Sequence, residues 1–239
     1  MSRQRLPLDP RRPVSYIAAG LAALAACTPR PAPLVPVALA PVDQGAAVAW
    51  AASTTPARPT AIRFRWRYRD ERLSAAGRGT ARIAPPDSMR FDFAATLNLA
   101  SGAAVVVGDS VLWADPAREF RSLAPAIPLL WAALGVARPP ARDAEVFGRS
   151  DPPRTIWRFA RPGDTLDYVA SDGSETPLLE AEWRRDGAVV ARGRTQLNGR
   201  RLPAGARIDF PEASARFELT VVAVDTAAVI APALWRGRR

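Results

Sequence analysis

Apolar and polar positions alternate with a period of two through most of the chain. Ile62, Phe64, Trp66 and Tyr68 alternate with Arg63, Arg65, Arg67 and Arg69, which predicts a strand with one apolar-aromatic face and one fully charged face. Met89, Phe91 and Phe93 alternate with Arg90 and Asp92, and Leu179, Ala181 and Trp183 with Glu180 and Glu182. Phe217, Leu219, Val221 and Ala223 share one face of a strand over 216–224. Shorter strands are expected at 80–84, 105–107, 111–113, 155–160, 165–170, 188–196 and 207–210. Gly108-Asp109-Ser110, Asp172-Gly173, Asp186-Gly187 and Asn198-Gly199 supply turns, giving about ten or eleven short antiparallel strands. Two segments depart from the rhythm. Residues 43–53 read as a short Ala-rich helix capped by Asp43 and carrying Trp50, ended by Pro56 and Pro59. Residues 125–136 are apolar nearly all round and fit a short helix from about Pro128 to Gly135. A helix without a polar face belongs in a core, so it is expected to cover the apolar face of a concave sheet as a plug.

The N-terminus reads as an address. Arg3, Arg5, Arg11 and Arg12 precede an uncharged stretch over 14–26, too short to span a bilayer as an ordinary helix. It ends in Leu24-Ala25-Ala26-Cys27, which resembles a bacterial lipobox and implies cleavage before Cys27 and lipid attachment (diacylglycerol and palmitate-type chains) to it. Residues 1–26 are then a signal peptide, 27–58 a lipidated Cys with a Pro-rich tether and the short helix, and 59–239 one β-rich domain. Pro29, Pro31, Pro33, Pro36 and Pro41 suggest an extended, semi-rigid stalk. Thr28, where an Asp would mark inner-membrane retention in bacteria using that rule, favours the outer membrane.

Composition removes most chemistry. The 239 residues contain no His and one Cys, which excludes His-based nucleophile activation, His-ligated zinc, internal disulfides and cysteine metal cages. Carboxylate pairs exist at Asp70/Glu71, Asp164/Asp167 and Glu180/Glu182, but Glu180 and Glu182 lie opposite the Trp183 face and are expected outside. No catalytic residue, metal site or cofactor is assigned. The 33 basic residues are all Arg against 23 acidic ones, a formal net charge of +10 that a GC-rich genome would also produce. The ladder of Arg63, Arg65, Arg67 and Arg69 reads either as a solvated face that discourages edge pairing or as a contact for lipid head groups. Nucleic acid is not expected as a partner, because arginines and aromatics occupy opposite faces.

The inward set comprises Ile62, Phe64, Trp66, Tyr68, Met89, Phe91, Phe93, Trp113, Trp157 or Phe159, Trp183, Phe210 and Phe217, with Leu130 and Trp131 from the plug. It reads either as dry core or as a cavity for acyl chains, and periodicity does not separate the two.

The order of elements resembles the LolA/LolB-like family, whose LolB branch comprises outer-membrane lipoprotein receptors. The match runs through 63–69, 78–84, 89–93, the apolar loop 96–102, the hairpin 103–113, and Ile127-Pro128 to Trp131 and Leu134-Gly135. Leu202-Pro203-Ala204, Ile208-Asp209-Phe210 and Phe217-Glu218-Leu219-Thr220-Val221 extend it. The resemblance implies an unclosed antiparallel β-barrel with a helical plug, an apolar interior that receives lipoprotein acyl chains, and no cofactor beyond the lipid on Cys27. It implies a monomer on the periplasmic face of the outer membrane, served by a periplasmic LolA-like carrier. Leu97, with Leu99 second, occupies the loop that inserts into the membrane in that family, although the family's Pro is missing there. The alternatives are a non-catalytic scaffold or accessory subunit with a filled core, and a carboxylate-type enzyme.

Overall fold

The computed structural model describes residues 32–35, 38–96, 101–117, 126–173 and 176–236. The signal segment, Cys27, Leu97 and Leu99 lie outside the described residues. All described strands and helices belong to one compact unit, Pro33–Arg239.

Thirteen strands form a single antiparallel sheet. In chain order they are β1 (Ala40–Pro41), β2 (Thr60–Arg69), β3 (Ser74–Ala84), β4 (Ser88–Ala95), β5 (Ser101–Val107), β6 (Ser110–Asp115) and β7 (Glu145–Asp151). There follow β8 (Arg154–Arg161), β9 (Asp164–Ser171), β10 (Leu178–Arg185), β11 (Ala188–Leu197), β12 (Pro203–Phe210) and β13 (Ala215–Asp225). Their spatial order is β1-β7-β8-β9-β10-β11-β12-β13-β2-β3-β4-β5-β6. Strands β1 and β6 are free edges, so the sheet is an unclosed barrel. The alternation expected for β2, β4, β10 and β13 holds in register: Phe64 pairs with Val221, Trp66 with Leu219 and Tyr68 with Phe217.

Two strands exceed the sequence expectation. Strand β7 carries Gly148 at an inward position, so no apolar side chain marks the alternation there; the ring of Trp157 from β8 fills the place. Strand β1 is only Ala40–Pro41, taken from the segment read as a free stalk.

Helix α1 (Gln44–Thr54) starts where Asp43 accepts a hydrogen bond from the Ala46 amide at 3.1 Å. Helix α2 (Ile127–Ala133) begins at Ile127-Pro128 and buries Ile127, Leu129, Leu130, Trp131, Ala132 and Ala133. Gly135 follows with φ +81°, a left-handed geometry that glycine takes without a Cβ penalty. The helix packs against β10, β11 and β12, where the Thr195 hydroxyl donates to the Ala132 carbonyl at 2.8 Å. On its other side the Trp131 indole donates to the Gly108 carbonyl of the β5–β6 turn at 3.0 Å. The chain leaving α2 extends this tie: Arg138 pairs with Asp109 at 3.1 Å, and the Ala137 amide donates to Thr54 Oγ1 at 2.8 Å.

The inner aromatics lie over glycines of the neighbouring strand. A Cβ on Gly79 would fall 2.5 Å from the Phe64 ring, one on Gly77 2.8 Å from Trp66, and one on Gly102 2.4 Å from Phe93. These glycines admit the rings against the backbone, in the manner of a close backbone approach. Strand propensity favours valine over glycine. Gly79→Val should nevertheless destabilise the domain by about 1–3 kcal/mol through the forced shift of Phe64. A urea midpoint that rises in this variant would show that the ring does not occupy the site.

Candidate functional site

The concave face is sealed at one end and graded at the other. Along β2, Ile62 and Phe64 are buried, whereas Trp66 and Tyr68 are half-buried as the strand approaches the Asp70 turn. Strand β4 repeats this, with Met89 and Phe91 buried and Phe93 half-buried. The neighbouring strands bring Phe217, Phe210 and Leu166 to the same end, all half-buried against the core. Trp183 is buried there, with the Arg185 guanidinium over its ring at 4.7 Å. Phe64 and Phe91 stack with centroids 5.0 Å apart, and Trp66 meets Phe93 edge-on at 6.3 Å. The opposite end is closed by α2, where Leu130 and Trp131 are buried as parts of the plug.

Polar groups hold this mouth in shape. The Tyr68 hydroxyl donates to Asp70 at 2.9 Å, and Asp70 accepts from the Arg72 and Leu73 amides at 2.7 and 2.6 Å. Those amide bonds, then the Tyr68 hydroxyl, hold the Asp70 carboxyl below the ordinary carboxylate range. Burial, then the bond to Asp70, pushes the Tyr68 phenol up. Next to Phe210, burial alone would raise the Asp209 carboxyl. Hydrogen bonds from Arg207 (2.7 and 2.9 Å) and Arg216 (2.8 Å) outweigh it and hold the group down.

Sequence reasoning placed Trp50 and one of Trp157 and Phe159 inward but missed Tyr168, which joins them into a second set of interior aromatics. Tyr168 is fully buried, accepts from the Arg138 amide at 3.1 Å, and lies 5.6 Å from Trp50 and 5.8 Å from Phe159. Its burial pushes the phenol well up. Two aromatic walls therefore flank the plug, one on β2–β4 and one on β8–β9 with α1.

Two expectations are corrected. Trp113 does not face the cavity: it pairs with Val105 on the outer face, under the Arg90 guanidinium at 5.3 Å, and its indole donates to the Trp235 carbonyl at 3.2 Å. A register shift between Val105 and Val106 separates it from the inward positions. Glu182 does lie opposite the Trp183 face, yet it is fully buried. Arg158, Asp167, Glu182 and Arg192 form one cross-strand row over β8–β11. Arg158 binds Asp167 at 2.8 and 3.1 Å, Arg192 donates from Nε to Glu182 at 2.7 Å, and Arg184 reaches both carboxylates. The Leu34 amide donates to both Glu182 oxygens at 3.3 Å, and buried Val35 lies beside it. Residues 34–35 of the expected stalk thus cover the row.

Among the described residues no group of three or more His, Cys, Asp or Glu could hold a metal ion. No helix of the described residues is long and apolar enough to cross a membrane.

No protein-family model matches the sequence, and no curated protein matches it. Among solved structures, a LolA superfamily protein from Nitrosomonas europaea superposes with a TM-score of 0.53 over 82% of this chain and 98% of its own, at 9% identity. The chain has the LolA-like fold. An outer-membrane lipoprotein-sorting protein domain from Vibrio parahaemolyticus aligns with a TM-score of 0.48 and 7% identity, over 75% of this chain and 90% of its own.

Two outcomes follow from the ion pairs on this LolA-like barrel. Glu182→Ala removes the buried carboxylate shared by Arg184, Arg192 and the Leu34 amide, and should cost about 3–5 kcal/mol and expose residues 34–35 to protease. An unchanged cleavage pattern would show that the row does not hold them. Asp209 has a depressed folded pKa, so its contribution is present above the unfolded value of about 3.9 and is lost as pH falls through the folded one. Asp209→Asn should flatten the acid limb of a urea-midpoint pH profile, and an unaltered limb would exclude this contribution.

Proposed function

We propose that the chain is a lipid-anchored protein of the bacterial envelope that takes acyl chains of lipids or lipoproteins into the mouth of its half-barrel. The carrying observation is the run of half-buried apolar side chains at one end: Trp66, Tyr68, Phe93, Phe217, Phe210 and Leu166. Such residues gain by covering about 25 cal/mol for each Å² removed from water, and an acyl chain supplies the cover without any reacting group. The likeness to a LolA superfamily protein supports the same reading.

In this reading Cys27 carries the anchor, the outer membrane is the location, and the chain is a monomer that receives cargo from a LolA-like periplasmic carrier. It performs no catalysis and needs no cofactor. Leu97, with Leu99 second, would enter the membrane on delivery. The scaffold alternative draws on a different observation, the filled centre of the barrel, where Leu129 and Trp131 are fully buried.

Phe64 is itself core, so a charge there would break the fold, and the informative position is the mouth. Phe217→Asp should weaken binding of a fluorescent fatty acid by about tenfold or more, equivalent to ~1.4 kcal/mol, with an unchanged near-ultraviolet spectrum. A folded variant that binds as the wild type does, or a wild type that binds no acyl probe, would overturn the carrier reading; the second result would favour the scaffold.

A further inference from the structure

On the outer face of β2 and β3 a group of charges is arranged unlike most of those on the sheet. Apart from Arg69 and Arg154, the other strand arginines have carboxylate partners. Arg82 and Arg90 share Asp92, Arg158 and Arg184 share Asp167, and Arg207 and Arg216 share Asp209. Arg63, Arg65 and Arg78 are exposed, and among the described residues none has a carboxylate within ion-pair distance. Arg65 and Arg78 stand directly opposite each other across β2 and β3. Arg67, next along β2, meets Glu218 only at 3.9 Å, with both side chains largely in water. Like charges placed opposite one another in a ladder destabilise it, so an anion across this pair would relieve a strain built into the sheet.

Two broad depressions of about 580 and 550 Å³ adjoin on this face and share Arg65 and Arg78. Thr80, Thr96 and Thr220 add hydroxyls to their walls, and Val222, 60% exposed, lines the second. Glu218 and Asp92 also line these depressions, Glu218 near Arg67 and Asp92 paired with Arg82 and Arg90, and the half-buried Trp66 and Phe93 reach their walls. The guanidiniums left without a carboxylate, with hydroxyls around them, suit a layer of phosphates, which arginine grips with paired N–H donors. We propose that this outer face docks the protein on anionic phospholipid head groups, with Arg63, Arg65 and Arg78 at its centre. The docking is separate from the acyl-binding mouth, which opens on the concave side.

The test is co-sedimentation of the Pro33–Arg239 unit, which carries the complete core and lacks Cys27, with two vesicle types. One is phosphatidylcholine alone, the other phosphatidylcholine and phosphatidylglycerol in equal parts. Binding to the second only is expected, falling with salt. At about fivefold for each arginine at an anionic surface, Arg65→Gln with Arg78→Gln should lose about thirtyfold in partitioning. The same double variant should unfold at an equal or higher temperature, because the opposed charges are gone. The charge-matched control is Arg154→Gln with Arg200→Gln, both exposed and on other strands or turns. Equal loss in the control would show an effect of net charge alone and overturn the assignment. So would indifference of the wild type to phosphatidylglycerol, which would leave the face to an acidic protein. Phe217→Asp, which tests the mouth, should leave vesicle binding intact, so the two readings fail separately.

Discussion

A wide antiparallel sheet with one apolar face is stable in water only if that face is covered, and an unclosed sheet must do this without sealing its own edges. Here the cover is α2 and the chain that follows it. Trp131 reaches the β5–β6 turn through Gly108, while Thr195 holds the other side of the helix on β11. Arg138 then ties Asp109 to Tyr168 on β9, with its guanidinium 5.1 Å from the Trp131 ring. Strands far apart in the order of the sheet are thus held across the interior by one short apolar helix and its exit. The barrel needs no closing hydrogen bonds because its contents join its walls.

That plug also decides where a ligand could go. Leu129, Leu130 and Trp131 fill the interior, and the half-buried apolar run of Trp66, Tyr68, Phe93 and Phe217 lies at the end remote from the helix. There Trp66 lies against Gly77 and Phe93 against Gly102 of the adjacent strands, so the rings approach the backbone closely. Tyr68 and Asp70 fix the rim of β2, and Asp209 with its two arginines fixes the rim of β12 and β13. The polar bonds sit on the lip and the apolar surface sits just inside it.

The strands with strong alternation were legible because each carries its apolar face in its own residues: β2, β4, β10 and β13 need no knowledge of their neighbours. The plug was legible because an all-apolar helix has one place to go. What escaped depends on partners outside the strand itself. Strand β7 offers Gly148 where the pattern calls for a hydrophobe, and the missing volume is supplied by Trp157. Alternation placed Glu182 on the correct face but could not announce that Leu34 and Val35 return to bury it. Trp113 follows the period-two rule until the register shift in β5 and β6, which a strand-by-strand reading does not contain.

The arginines show how far composition can be taken as an explanation. A GC-rich genome would account for Arg in place of Lys at every basic position, but it would not choose where the carboxylates stand. On β8–β11 the basic residues flank two buried carboxylates in one row, and burial without those partners would cost several kcal/mol for each charge. On β12 and β13 one carboxylate serves two arginines in partial exposure. On β2 and β3 the opposed pair Arg65 and Arg78 has no such partner. A composition bias spread evenly over the surface would give one arrangement, not three. The pairing follows burial where charge must be neutralised for folding, and it lapses where the solvent face is broad and open. Glu218 and Asp92 stand on the same face but are near Arg67 and paired with Arg82 and Arg90, so Arg63, Arg65 and Arg78 are the part of the charge pattern that folding does not require.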